Sequence, residues 1–250
     1  MDGAEIVCQG IGSEQPMRPV NKGSSPYTSI TNYKQAMPYL ENAIGSYCSY
    51  CGMKLDNAPE VEHVGSKSTD PNLITRWDNL LLACKACNTR KSNTVTAINK
   101  SEYLWPDEDN TALAFRYPLG IPQVDSAMLN AVDPTGESAQ KATNLFNLLK
   151  LGPQPQLKTD RRVLKRNEAY QTAKDSLEDW KIDKTPTMKR QIIRTAVANG
   201  FFSIWMTVFE DEPEILHELI SAFPGTEQGF FDAEGHPKML MSIPAPALTP

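Results

Sequence analysis

The stretch from Cys48 to Asn93 reads CSYCGMKLDNAPEVEHVGSKSTDPNLITRWDNLLLACKACNTRKSN, and its reading decides the fold. Cys48 and Cys51 form one C-x2-C pair and Cys84 and Cys87 a second, with 32 residues between the pairs. Two residues between cysteines let one tight turn present two thiolates, and four thiolates suit a tetrahedral zinc ion. A disulfide framework is the competing explanation, but it belongs to exported chains. The N-terminal MDGAEIVCQG has no basic region leading into an apolar stretch, so a cytoplasmic location is expected. Cys48, Cys51, Cys84 and Cys87 therefore read as a structural Zn2+ site, and Cys8 as an incidental free thiol. Zinc with four protein ligands is closed to further coordination, so it can fold the module but cannot activate water. Chemistry requires another centre.

Between and beside the pairs lie Glu62–His63 in a short β-like run from Val61 to Val64, and Trp77-Asp78-Asn79 ahead of Leu80, Leu81 and Leu82. Asn88 directly follows the last cysteine, at the start of a helix that carries Arg90 and Lys91. CxxC, EHV, WDN, LLLACxxCN and RK in that order resemble the HNH endonuclease family in its zinc-knuckle variant, over about 47 of the 250 residues. The flanks carry a weaker likeness, to HNH components of bacterial anti-phage systems such as Septu. The resemblance implies a ββα-metal fold in which a hairpin and a helix clasp one divalent ion and cut a phosphodiester. Where the family has a final His this chain has Asn88, an HNN arrangement like that of the HNH domains of CRISPR effector nucleases.

In the roles so implied, Glu62 and Asn88 hold the catalytic ion, and an oxygen-only donor set favours Mg2+ or Mn2+. His63 acts as general base, its ordinary pKa of about 6.5 letting it take a proton from water near neutrality. Asn79 ties the connecting loop and positions the base. One tension stands: neighbours on a regular strand face opposite ways, so Glu62 and His63 reach one ion only if the strand bulges or ends there. If it stays regular, Asp78 or Asp70 becomes the candidate carboxylate.

The rest of the chain sets the context. Apolar residues make up 40% and charged residues 22%, which excludes a disordered chain, and no window approaches the roughly 18–20 apolar residues of a membrane span. The net charge of −5 divides unevenly: +2 over residues 48–100, +6 over 150–200 and −7 over 201–250. We expect an α+β chain: a flexible lead-in over 1–30, the zinc-bearing module with an N-terminal helix over 31–100, a short strand and loops over 101–135, a mainly helical region over 136–241, and a disordered tail over 242–250. Helices are predicted over Asn32 to Ile44, from Glu137 to a stop at Gly152, over Asp160 to Trp180, over Pro186 to Asn199 and over Pro213 to Phe223.

Arg161, Arg162, Lys165 and Arg166, with Lys158, form a basic cluster that reads either as a phosphate-binding face or as a solvated one. Lys85, Arg90 and Lys91 are the basic residues of the module set to meet nucleic acid. DNA is the expected substrate, with RNA the other candidate. The acidic C-terminal third points to a protein partner, and the comparison with HNH-and-ATPase defence systems makes an ATPase the expected one. Homo-oligomer formation is a further expectation. The competing functions are a zinc-stabilised nucleic-acid-binding module without cleavage and an assembly scaffold.

Overall fold

Asn32 opens the first helix because its side chain accepts from the Lys34 amide while Gln35 reaches back to the Asn32 amide. One 3-10 turn, Tyr33–Ala36, relaxes into α1, Met37–Ile44, with Pro38 in the first helical turn, where its missing N–H is not needed. Gly45 ends α1 at φ 72°. The structure, a computed structural model, describes residues 17–57, 59–68, 70–152 and 161–242; the expectations for Cys8, Lys158 and residues 243–250 fall outside them.

Strands β1, Glu60–His63, and β2, Leu80–Ala83, pair antiparallel with Glu60 opposite Ala83 and His63 opposite Leu80. All four β2 residues are buried, and α1 packs on the strand, which is why Leu80 to Leu82 is a continuous apolar run. Helix α2, Lys85–Lys91, follows directly and packs on β1.

A second two-stranded sheet joins β3, Phe115–Arg116, which supplies the short strand expected within 101–135, to β4, Gln123–Val124. The helix α3, Ser126–Val132, was not expected; the Asp125 side chain caps it by accepting from the Met128 amide. Helix α4, Glu137–Leu149, turns at Lys150, which takes a left-handed φ of 49°, ahead of the predicted stop at Gly152.

Four helices complete the chain: α5, Arg162–Ile182; α6, Pro186–Asn199; α7, Phe202–Val208; and α8, Pro213–Ala222. The molecule is thus α+β, with two small sheets and a mainly helical C-terminal region, and one hydrophobic core runs through both parts. They meet at the first cysteine turn. Phe201 donates its amide to the Gly52 carbonyl at 2.6 Å, and a β carbon at Gly200 (φ 74°) would lie 2.8 Å from that oxygen, so only glycine fits.

Two expectations need correcting. The lead-in is packed at residues 17–20, whereas 21–30 are exposed or half-buried: Met17, Arg18 and Val20 are buried, and Arg18 donates to Ile44 O, Pro224 O and Thr226 Oγ1, clamping α1 to the segment after α8. Helix α5, whose sequence pattern puts Val163, Leu164, Tyr170, Ala173, Leu177 and Trp180 inward, also turns a partly different face to the core. Arg162, Arg166, Ala169, Ala173 and Trp180 point inward, whereas Leu164 is 41% exposed.

Candidate active site

The cysteine turns come together first. Cys48 and Cys51 sit on a turn closed by Gly52 N donating to Cys48 O and by a bridge between Tyr47 and Lys54. Cys84 leaves β2 and caps α2, whose first turn carries Cys87. The four buried Sγ atoms lie within 4.8 Å of one another, none in a disulfide. A tetrahedron of zinc–sulfur bonds of about 2.3 Å has edges of about 3.8 Å, and Cys51 and Cys84 Sγ stand 3.8 Å apart. Number, chemistry and spacing of the donors all fit zinc.

The second centre lies where β1 meets α2. The strand is regular, so Glu60 and Glu62 share one face and His63 takes the other. On α2, Asn88 and Lys91 are one turn apart, and the two ladders meet: Asn88 Nδ2 donates to Glu60 Oε2 at 2.7 Å, and Lys91 Nζ lies 2.8 Å from Glu62 Oε1. Tyr50 OH also donates to Glu62 Oε1, at 3.3 Å. The Glu62–Lys91 pair is 1% exposed on both sides, and burial pushes the Glu62 carboxyl up to about 7 against the pull of Lys91. Glu62 Oε2 is buried with no hydrogen-bond partner among the described residues. An orphaned carboxylate oxygen is costly unless something binds it, and a hard cation is the partner its chemistry suits.

His63 is 8% exposed, and its Nε2 stands 2.9 Å from the Ile74 carbonyl. A carbonyl only accepts, so Nε2 carries the hydrogen and Nδ1 is left with the basic lone pair. Burial lowers the imidazole pKa, Ile74 partly opposes this, and the charges of Lys67 and Lys91 push it further down. Asn79, 5% exposed, accepts from Gly65 N at 2.7 Å and donates to Gly65 O and Leu73 O, both at 3.0 Å. One amide thus fixes the end of β1 to the backbone just before Ile74, the anchor of the imidazole. Lys91 adds a bond from Nζ to the His63 carbonyl at 2.6 Å.

The expected approach of Glu62 to Asn88 is not what the packing produces; the carboxylate beside Asn88 is Glu60, and Glu62 is engaged by Lys91. Neither alternative carboxylate joins them. Asp78 is exposed and paired with Arg76, and Asp70 caps a 3-10 turn by accepting from Asn72 N. Lys91, expected to meet nucleic acid, is buried in its ion pair and cannot. Arg162 and Arg166 are likewise withdrawn from solvent at 3% and 2% exposure. The first donates to Leu149 O, Lys150 O and Cys87 Sγ, and the second to Leu151 O, with its guanidinium over Tyr117. Lys85 and Arg161 are exposed, Arg90 is half-buried, and Lys165 is exposed in a pair with Glu168.

Three neighbours went unread in the sequence. Glu60 was legible from the two-residue period of the strand. Tyr33 meets the His63 ring edge-on at 4.7 Å, and Lys67 Nζ lies 3.9 Å from the Tyr33 ring centre; no local signal marks either, because they come from separate segments.

A strand pair and a helix thus hold a histidine and two asparagines beside a four-thiol cluster that suits a metal ion. Residues 48–94 match the family model described as HNH endonuclease, and this segment is an HNH domain of the zinc-knuckle variant. The chain is also similar to the Septu protein PtuB of Bacillus thuringiensis, 43% identical over 61 residues, which cover 22% of this chain and 24% of that protein. The match thus spans about a quarter of that relative's length. No solved structure matches the chain. None of the described helices is long and apolar enough to cross a membrane.

Proposed function

We propose that the protein is a metal-dependent endonuclease that hydrolyses phosphodiester bonds in DNA, with His63 as general base. The observation that carries this reading is the imidazole held through Nε2 by Ile74, its free Nδ1 facing no competing protein hydrogen bond among the described residues. In the reaction Nδ1 takes a proton from water, the resulting hydroxide attacks phosphorus, and the 3′ oxygen leaves. Burial keeps the ring neutral at pH 7, ready to accept that proton. Asn79 is a positioning residue: through Leu73 it holds the segment that holds His63.

Glu60, Glu62 through its unpartnered Oε2, and Asn88 through its amide oxygen are the residues that would hold Mg2+ or Mn2+. Bound there, such an ion supplies positive charge to the phosphate and to the leaving oxygen. The four cysteines hold Zn2+ in a structural role. Lys85 and Arg90 on the module, and Arg161 and Lys165 at the start of α5, are the basic residues proposed to meet phosphate. By likeness to a Septu protein the activity serves anti-phage defence, with an ATPase partner that licenses cutting.

The test is plasmid incubated with Mg2+ or Mn2+, wild type beside His63→Ala, with and without proteins that co-purify from the native host. Cleavage lost only in the variant supports the proposal. Binding without cleavage under every condition overturns it in favour of a zinc-stabilised nucleic-acid-binding module.

A further inference from the structure

Four thiolates around Zn2+ carry a net charge of −2, and here all four sulfurs are buried. A buried dianion is costly unless charge and hydrogen bonds compensate it. Arg162 meets that need from 75 residues away: its Nη1 stands 3.2 Å from Cys87 Sγ. The same guanidinium donates to Leu149 O and to Lys150 O, both at 3.0 Å, at the C-terminal end of α4. The side chain is 3% exposed. A planar fork addressing a sulfur and two carbonyls at once is a geometry that a lysine ammonium cannot reproduce.

We propose that Arg162 is a positioning residue for the zinc centre: it hydrogen-bonds the Cys87 thiolate, offsets its charge, and makes zinc retention depend on the docking of α5. This rests on reading the four thiols as a zinc site. Cys87 is followed at once by Asn88, so the same contact fixes the helix turn that presents Asn88 to Glu60. The C-terminal helices are then part of the nuclease module's construction.

The test uses the full chain as purified. Zinc content of the unmutated protein comes first, because a folded, zinc-free protein would sink the four-thiol reading itself. With one zinc bound, R162Q is expected to weaken zinc affinity about 10–100-fold in competition with a chromophoric chelator, the usual effect of removing an outer-shell partner. In the Co2+-substituted protein the thiolate-to-cobalt charge-transfer band should move to lower energy as the sulfur loses its donor. R162K should recover part of both effects, and K174Q, at an exposed position of the same helix, should produce neither.

Zinc affinity and band position equal to wild type in whichever Arg162 variant folds would overturn the proposal. Should neither fold, NMR of the unmutated 113Cd form decides. A slowly exchanging Arg162 Nη proton coupled to cadmium supports it, and guanidinium protons exchanging as fast as those of an exposed arginine overturn it.

Discussion

Removing the charge of Lys91 tests whether the centre of the module is built on a buried ion pair. Its Nζ lies 2.8 Å from Glu62 Oε1 and 2.6 Å from the His63 carbonyl, and each side chain of the pair is 1% exposed. Lys91→Met keeps most of the stem volume and leaves a carboxylate that water cannot reach. Deleting one partner of a buried pair costs about 3–5 kcal/mol, a large share of the roughly 5–15 kcal/mol that holds a folded protein together. Glu62→Gln leaves Lys91 bare but also removes a carboxyl that burial pushes up from 4.5 to about 7, so at pH 8 it should cost less than Lys91→Met. The double variant leaves neither charge behind and should lie within about 1–2 kcal/mol of wild type, since neutral replacements of buried pairs are often tolerated.

Urea unfolding of the zinc-loaded protein, followed by tryptophan fluorescence at pH 8 and pH 5, reads all three. The pH dependence has a definite sign. Burial already pushes Glu62 up to about 7, and without the lysine charge the carboxyl rises further. As pH falls toward the ordinary carboxyl range the protonated form occupies the fold with no charge to compensate, so the cost of Lys91→Met shrinks from pH 8 to pH 5. A cost at pH 8 no larger than the roughly 0–1 kcal/mol of a surface pair, or single costs that simply add in the double variant, would refute the reasoning.

Three further outcomes are expected. His63→Ala should abolish Mg2+- or Mn2+-dependent cleavage with zinc content unchanged. Because burial lowers the imidazole below its usual 6.5, the wild-type rate should begin to fall only below that pH, and an acidic limb centred above it contradicts the assignment. Arg161→Ala with Lys165→Ala should reduce the slope of log K for DNA against log salt by up to about 1.8, at about 0.9 per phosphate contact; an unchanged slope removes the start of α5 from the interface. Asp109 accepts from Trp105 N at 2.7 Å, and burial pushes its carboxyl up to about 6 from 3.8, so its contribution to stability falls as pH rises between those values. Asp109→Asn should therefore be about 2–3 kcal/mol more stable than wild type at pH 7 and no more stable at pH 4. Thermal melts giving a constant difference across that range would refute this.

Helix limits were legible because capping is local. Asn32 with Gln35, Thr185 ahead of Pro186, and Gly200 each satisfy or end a helix with their own atoms. Which way α5 faces was not, since arginine ordinarily turns to water. Here the carbonyls of Leu149, Lys150 and Leu151 need donors in a buried turn, and Arg162 and Arg166 supply them. Arg18 does the same for Ile44 and Pro224. The two halves of such a contact stand at least 12 residues apart, beyond the reach of a capping pattern.

The zinc ligands were legible for the same local reason, two thiols per turn, whereas the carboxylate question turned on how far one rule was carried. Strand alternation separates Glu62 from His63, and that argument led to Asp78 and Asp70 as substitutes. Carried one step further, the same period puts Glu60 on the face of Glu62, and the helical period of α2 puts Asn88 and Lys91 on one line facing them. The opposite orientation of His63 is then no obstacle. The proposed base and oxygen donors belong to two faces of one strand end, and the imidazole is anchored there by Ile74, with Asn79 and Lys91 fixing the backbone on either side of it.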